Sequence, residues 1–226
     1  MMASSLPTAN GNHVQTTTAA PLPGVRSSDL LWAALTADSG SAVLVYDANG
    51  RIICANAAAA RLLGVAGDEL AQKSLHEVLP APIAEERLAH ARQVVETGAP
   101  VVLDGMLAGR FTRATLRAVR GESPQESRVL ETIRPTSAGE GKPEGVVYAR
   151  AKTDDEGALG QLTAREREVL VHIGRGLSTA EIASTLGRST KTVEWHRVSL
   201  GNKLGITNRV ELARIAIKAG VTSLED

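Results

Sequence analysis

The chain has 226 residues, with 25 Lys and Arg against 25 Asp and Glu, so its formal net charge is zero. Its hydrophobic fraction of 43% supports packed cores and excludes global disorder, and its single cysteine excludes a disulfide framework or a cysteine-cluster metal site. No run approaches the ~18–20 apolar residues of a membrane helix, and the opening MMASSLPTANGNH has no secretory pattern, so the protein is expected to be cytoplasmic and off the membrane.

In chain order, residues 1–27 are Thr-, Ala-, Ser- and Pro-rich and are expected to form a flexible tail. A short helix follows at 28–37, with Leu30, Leu31 and Leu35 as an apolar face suited to a dimer contact. AVLVY (42–46), the turn signal Asp47-Ala48-Asn49-Gly50 and RIICA (51–55) predict a β-hairpin. Helical segments are expected at 56–64, roughly 68–79 and 83–97, the last ending at Gly98 and Pro100. Strands are expected at 101–107, 111–119, 128–133 and 146–151. Strands, then helices, then strands again predict an α+β domain with an antiparallel sheet, not an alternating parallel fold.

Thr153 to Gly157 reads as the start of a linker, and the rest is helical. Thr163-x-x-Glu166 and Ser178-x-x-Glu181 fit capping boxes, with Ser189 and Asn208 as further starts. Four helices are expected, at about 163–175, 178–186, 189–203 and 208–218, with Gly176, Gly187 and Gly205 just past the first three. The charge divides at this boundary. Residues 159–226 hold ten Lys/Arg and seven Asp/Glu, a balance of +3, which leaves −3 on residues 1–158. Zero net charge therefore does not argue against a nucleic-acid partner.

The helices at 178–186 and 189–203, joined by Gly187-Arg188, fit a helix-turn-helix whose second helix enters a major groove. Thr190, Lys191, Glu194, Trp195, Arg197 and Val198 can face outward; a solvated face of a small bundle is the alternative from these residues alone. LTAREREVL (162–170), GLSTAEIASTL (176–186), STKTVEWHR (189–197), KLGI (203–206) and NRVELARIA (208–216) closely resemble the LuxR/GerE-type DNA-binding domain. The resemblance implies Lys191, Thr192, Glu194 and Arg197 as recognition-helix contacts, Lys203, Asn208 and Arg209 as DNA-backbone contacts, and Ile182, Val193 and Leu204 as core. Two residues depart from the pattern. Trp195 offers either thymine contact or packing on the fourth helix, and packing is the expectation. Gly201 costs roughly 1 kcal/mol in a helix and offers it an early end.

AVLVYDANGRIICANAAAARLLG (42–64), GDEL (67–70) and KSLHEVLP (73–80) resemble the opening of a PAS domain, and the resemblance extends over about 40–152. It implies a five-stranded antiparallel sheet with short helices, and a role in sensing, cofactor binding or dimerisation. The cysteine-containing run of a flavin photosensor is missing, and Cys54 on a strand reads as a structural thiol. A haem would need a proximal ligand; His90 is the best-placed residue and His76 a weaker one, so no cofactor is expected, with haem through His90 as the alternative. A phosphoacceptor receiver would need an alternating parallel pattern, and an acyl-homoserine-lactone receptor more Trp and Tyr. The five histidines lack metal-ligand spacing, and GxSxG, P-loop and GxGxxG motifs are missing, so neither a metal site nor an enzyme is expected.

The sequence thus predicts a tail (1–27), a PAS-like sensor domain (28–152), a linker (153–161) and a LuxR-type four-helix DNA-binding domain (162–226). The expected function is sequence-specific transcription regulation through double-stranded DNA, as a homodimer, with a small-molecule signal in the PAS-like domain. The competing expectation is a PAS interaction module whose helical tail binds protein.

Overall fold

The computed structural model describes residues 32, 34–37, 39–66, 69–121, 126–137 and 140–222. The expected tail and Leu30 and Leu31 of the expected 28–37 helix lie outside the described residues, whereas Leu35 is 74% exposed.

β1 (Ala42–Asp47) and β2 (Ile52–Ala55) form the expected hairpin. Its turn is an Asx turn, in which the Asp47 carboxylate accepts from the N–H groups of Asn49 and Arg51 at 2.9 and 3.1 Å. α1 (Ala57–Leu63) starts on Asn56, whose side-chain oxygen accepts from Ala59 N–H at 2.9 Å and from Val43 N–H at 3.0 Å. The Asn56 amide also donates to the carbonyls of Thr36 and Ser41, so one side chain ties helix, strand and preceding segment together. After α2 (Leu75–Val78), α3 (Ala81–Thr97) lays Ile83, Ala84, Leu88, Ala91 and Val94 on the sheet.

β3 (Val101–Leu107), β4 (Arg110–Val119), β5 (Arg128–Pro135) and β6 (Val147–Arg150) complete one six-stranded sheet, ordered β2-β1-β5-β4-β3-β6. The expected PAS-like sheet is present, but with six strands rather than five and with β6 parallel to β3. The reason is edge availability. β5 is flanked by β1 and β4, so the returning chain crosses to the open edge of β3, and a crossover runs parallel where a hairpin would not.

The core between helices and sheet buries Leu44, Ile52, Leu70, Leu75, Leu107 and Leu116, each contributing about 1.5–3 kcal/mol. It also encloses a charged cluster. Arg87 of α3 is ion-paired with Glu131 of β5, and the Tyr46 hydroxyl donates to Glu131 at 2.9 Å. Burial pushes the Tyr46 hydroxyl pKa up and that of Arg87 down. On the other face of the sheet Arg113 grips Asp104 with two hydrogen bonds, at 2.7 and 2.8 Å.

The helical domain has the expected four helices: α4 (Ala164–Gly174), α5 (Thr179–Leu186), α6 (Thr190–Leu204) and α7 (Arg209–Lys218). Both capping boxes form, and Ser189 and Asn208 cap α6 and α7. The three glycines past α4, α5 and α6 have the left-handed φ expected of them.

The span 153–161, expected as a linker, is a strap rather than a free joint. Asp154 accepts from Met106 N–H at 2.7 Å and Asp155 from Ala108 N–H at 2.8 Å, while the Asp155 carbonyl accepts from Gly109 N–H at 2.9 Å. Glu156 then accepts two hydrogen bonds from Arg167 of α4, at 3.0 and 2.7 Å. Met106 and Phe111, beside the β3–β4 turn, share one apolar cluster with Leu159, Leu162, Leu170, Ile173 and Ala219. The sheet and the helical domain are therefore packed together, with Gly220 so close to Phe111 that a Cβ there would lie 2.8 Å from the Phe111 Cβ.

Candidate nucleic-acid interface

The site is built around α6, and its geometry begins with what holds the inner side of that helix. Val193 and Leu200 are buried against α4 and α5. Glu166, the capping-box residue of α4, reaches across to α6. It accepts from the Ser199 hydroxyl at 2.7 Å and from the Lys203 ammonium at 2.6 Å, as well as from Thr163 N–H at 2.8 Å. Burial alone would push this carboxyl up, but those hydrogen bonds outweigh it and hold the pKa down to about 2. A residue legible in the sequence only as a cap is thus also the anchor that sets the angle of α6.

Gly201 serves the same end. α6 does not stop there but runs on to Leu204, and a Cβ at 201 would lie 2.5 Å from the Ile206 carbonyl oxygen. The glycine lets the chain fold back tightly beneath the helix, which compensates for its poor helix propensity.

Opposite this inner side, Lys191, Trp195, Val198 and Asn202 follow at i, i+4, i+7 and i+11, one outward line on the helix. Trp195 is 65% exposed, its ring edge-on to that of its neighbour His196, so the expected packing on the fourth helix does not bury it. Lys191 is exposed and has no hydrogen-bond or ion-pair partner among the described residues. Glu194 and Arg197 pair on the flank of the same face, Arg197 Nε lying 3.0 and 3.1 Å from the two carboxylate oxygens.

The remaining sequence-predicted contacts sit elsewhere. Thr192 is half-buried, its hydroxyl 2.8 Å from that of the cap residue Ser189. Asn208 caps α7, accepting from Val210 N–H at 2.8 Å. Lys203 points inward to Glu166 and the Gln161 carbonyl, and Arg209 donates to the Leu177 carbonyl. Lys203 and Arg209 therefore tie separate segments of the helical domain together. Arg188, which sequence reasoning leaves as a turn residue, is exposed, and its side chain has no partner among the described residues; it lies one residue before the α6 cap. A basic residue beside a helix N-terminus is a signal for anion binding that the sequence does contain.

Histidine and cysteine positions bear on the cofactor expectations. His90 lies half-exposed on the flank of α3, 3.4 Å from Gln93. Cys54 is partly buried on β2, and burial pushes its thiol pKa up. Among the described residues no group of three His, Cys, Asp or Glu converges as a metal site, and no helix is long and apolar enough to cross a membrane.

Residues 36–156 match the family described as PAS fold, and residues 160–216 match bacterial regulatory proteins, luxR family. Transcriptional regulatory protein UhpA of Escherichia coli is 53% identical over 53 residues, which is 24% of this chain and 27% of UhpA. Transcriptional regulatory protein MctR of Rhizobium johnstonii is 48% identical over 62 residues, 27% of this chain and 29% of MctR. The chain thus spans less than a third of the length of these relatives. FixJ of Azorhizobium caulinodans, another transcriptional regulatory protein, is 28% identical over 173 residues, 74% of this chain and 72% of FixJ. Among solved structures, a VqmA–ligand–DNA complex of Vibrio cholerae aligns with a TM-score of 0.44 and 21% identity, over 89% of this chain and 92% of VqmA.

The fold is an α+β domain strapped to a domain that contains a helix-turn-helix. The chain belongs to the PAS-fold family over 36–156 and carries at 160–216 a domain of the luxR family of bacterial regulatory proteins.

Proposed function

We propose that the protein is a cytoplasmic, sequence-specific DNA-binding transcription regulator that acts as a homodimer and takes its signal through the PAS-fold domain. The observation that carries this reading is the division of charge around α6. Inward-facing cations such as Lys203 and Arg209 have partners, while Lys191 and Arg188 on the outer, N-terminal side have none among the described residues. α6 enters the major groove by its N-terminal half, with Lys191 and Arg188 on phosphates or guanine edges. The Glu194–Arg197 pair is solvent-facing and inexpensive to rearrange, so either member can turn to a base. Trp195 and Val198 offer apolar surface to thymine methyl groups. Two copies address half-sites about 34 Å apart. Because the strap at 153–161 is pinned at both ends, a change at the β3–β4 turn is transmitted to α4 without slack.

Mobility-shift titration of promoter fragments tests the reading. Binding should weaken steeply with salt and fall in Lys191→Ala and Arg197→Ala. A salt-insensitive shift, or none, overturns it, and a protein partner retained in pull-down after Lys191 and Arg197 are both removed favours a protein-binding helical tail instead.

A further inference from the structure

A cavity of about 310 Å³ opens at the edge of the sensor core, between α1 and the ends of β1, β4 and β5. Ala58 and Leu62 of α1 and Ile133 of β5 give it an apolar wall. Three arginines also line it: Arg61, Arg110 and Arg134. Arg134 is already engaged, donating to Glu140 at 3.0 Å. Among the described residues Arg61 and Arg110 have no hydrogen-bond or ion-pair partner, and no acidic side chain lines the cavity. The void beside Arg87 in the same domain is far smaller, about 10 Å³, room for one water at most.

Building on the sensor reading above, we propose that this cavity binds a small organic acid, a carboxylate or phosphate monoester carried on an apolar body. Its volume falls at the lower end of the ~300–1,000 Å³ usual for small-molecule sites. Guanidinium groups present planar forks of donors that match carboxylate and phosphate oxygens. Two such groups facing one cleft without a counter-charge repel each other, and a bound anion removes that repulsion. The apolar wall takes the body of the molecule, which excludes a bare inorganic ion as the preferred ligand.

Arg110 gives the cavity a route to the DNA-binding domain. It follows the β3–β4 turn that the strap grips, and it also lines a second cavity of about 230 Å³ against the helical domain, with Leu159, Leu204, Ile215 and Lys218. An anion that draws Arg110 toward Arg61 takes it away from that second cavity. Occupancy of the sensor thereby alters the contact between the β3–β4 turn and the helical domain.

The test uses the full chain and isothermal titration with benzoate, hexanoate and phenyl phosphate, each against its neutral counterpart benzamide, hexanamide or phenol. At least one acid should bind roughly tenfold or more tightly than its counterpart, the scale of a lost charge-assisted hydrogen bond. R61Q and R110Q should each lower that affinity by about the same factor and leave the melting temperature of the free protein unchanged, since both side chains are exposed. The bound acid should change the affinity for the promoter fragment in the wild type and not in R110Q. Equal binding of acid and neutral counterpart, binding retained in the double variant, or no binding by any of the three acids overturns the proposal. An acid that binds without changing DNA affinity overturns the role of Arg110 as the link. In each of these outcomes an intact mobility shift locates the failure in the ligand class and not in the DNA-binding reading.

Discussion

The two domains differ in how much charge they bury. The PAS-fold domain encloses it: Arg87 and Glu131 are 6% and 1% exposed at the side chain, and Arg113 and Asp104 are 6% and 4% exposed. The helical domain buries one acid, Glu166, and turns its unpaired cations outward. A charge enclosed with its partner is committed to architecture, because separating the pair strands the survivor in a medium that solvates it poorly. A charge left without a partner on a rigid helix is available to something outside the chain. The contrast separates charges committed to the fold from charges left open, although both sets are basic or acidic in the sequence.

The largest expected effect sharpens the enclosed side. Arg87→Ala should destabilise the chain by about 3–5 kcal/mol in urea unfolding, whereas Arg87→Met combined with Glu131→Leu should recover most of that loss. A single-substitution loss under about 1 kcal/mol would mean that the pair behaves as if solvated. Glu166→Ala comes next. It removes hydrogen bonds from Ser199, Lys203 and Thr163, so a loss of about 2–3 kcal/mol is expected, accompanied by weaker DNA binding as α6 loses its anchor.

Lys191→Ala on the open side should cost about 1–3 kcal/mol of DNA affinity with an unchanged melting temperature. Trp195→Ala should likewise weaken DNA binding and leave stability alone, and a lowered melting temperature would show that Trp195 packs after all. Gly201→Ala opposes two terms: helix propensity gains about 1 kcal/mol, but contact with the Ile206 carbonyl should reverse the sign to a net loss of about 1–2 kcal/mol.

The smallest effect at neutral pH is the titration of Glu166 and Glu140, both held at about 2 against an ordinary 4.5. For Glu140 the Arg134 and Thr136 hydrogen bonds lower the value. Depressed carboxyl pKa values stabilise the fold fully above the unfolded value and lose that contribution as pH falls toward 2. Stability should therefore be flat from pH 7 to about 5 and decline below it. Glu166→Gln should make the decline in the helical domain shallower.

Much of the helical domain was legible in the sequence because its signals are local. Thr163, Ser178, Ser189 and Asn208 cap helices by bonding two or three residues ahead, and the glycines past α4, α5 and α6 need only their own φ. The Asp47 turn and the Asn56 cap were legible for the same reason. The parallel sense of β6 was not, since it depends on which sheet edge remains open. Nor were the inward turn of Lys203 and Arg209, the exposure of Trp195, or the unpaired state of Arg188. Each depends on an acceptor, or on the lack of one, contributed by a distant segment.

The sequence by itself determined that this chain has an α+β domain of PAS type followed by a four-helix domain of luxR type, and where the two helices of the helix-turn-helix lie. Periodicity, capping and turn chemistry act over a few residues and survive without tertiary context. Only the tertiary structure decided which charges on and around that helix are spent internally. It also decided that the segment between the domains is a pinned strap. A hydrogen bond between residues 33 or 48 positions apart leaves no spacing rule in the chain, and only the folded geometry brings its two ends within reach.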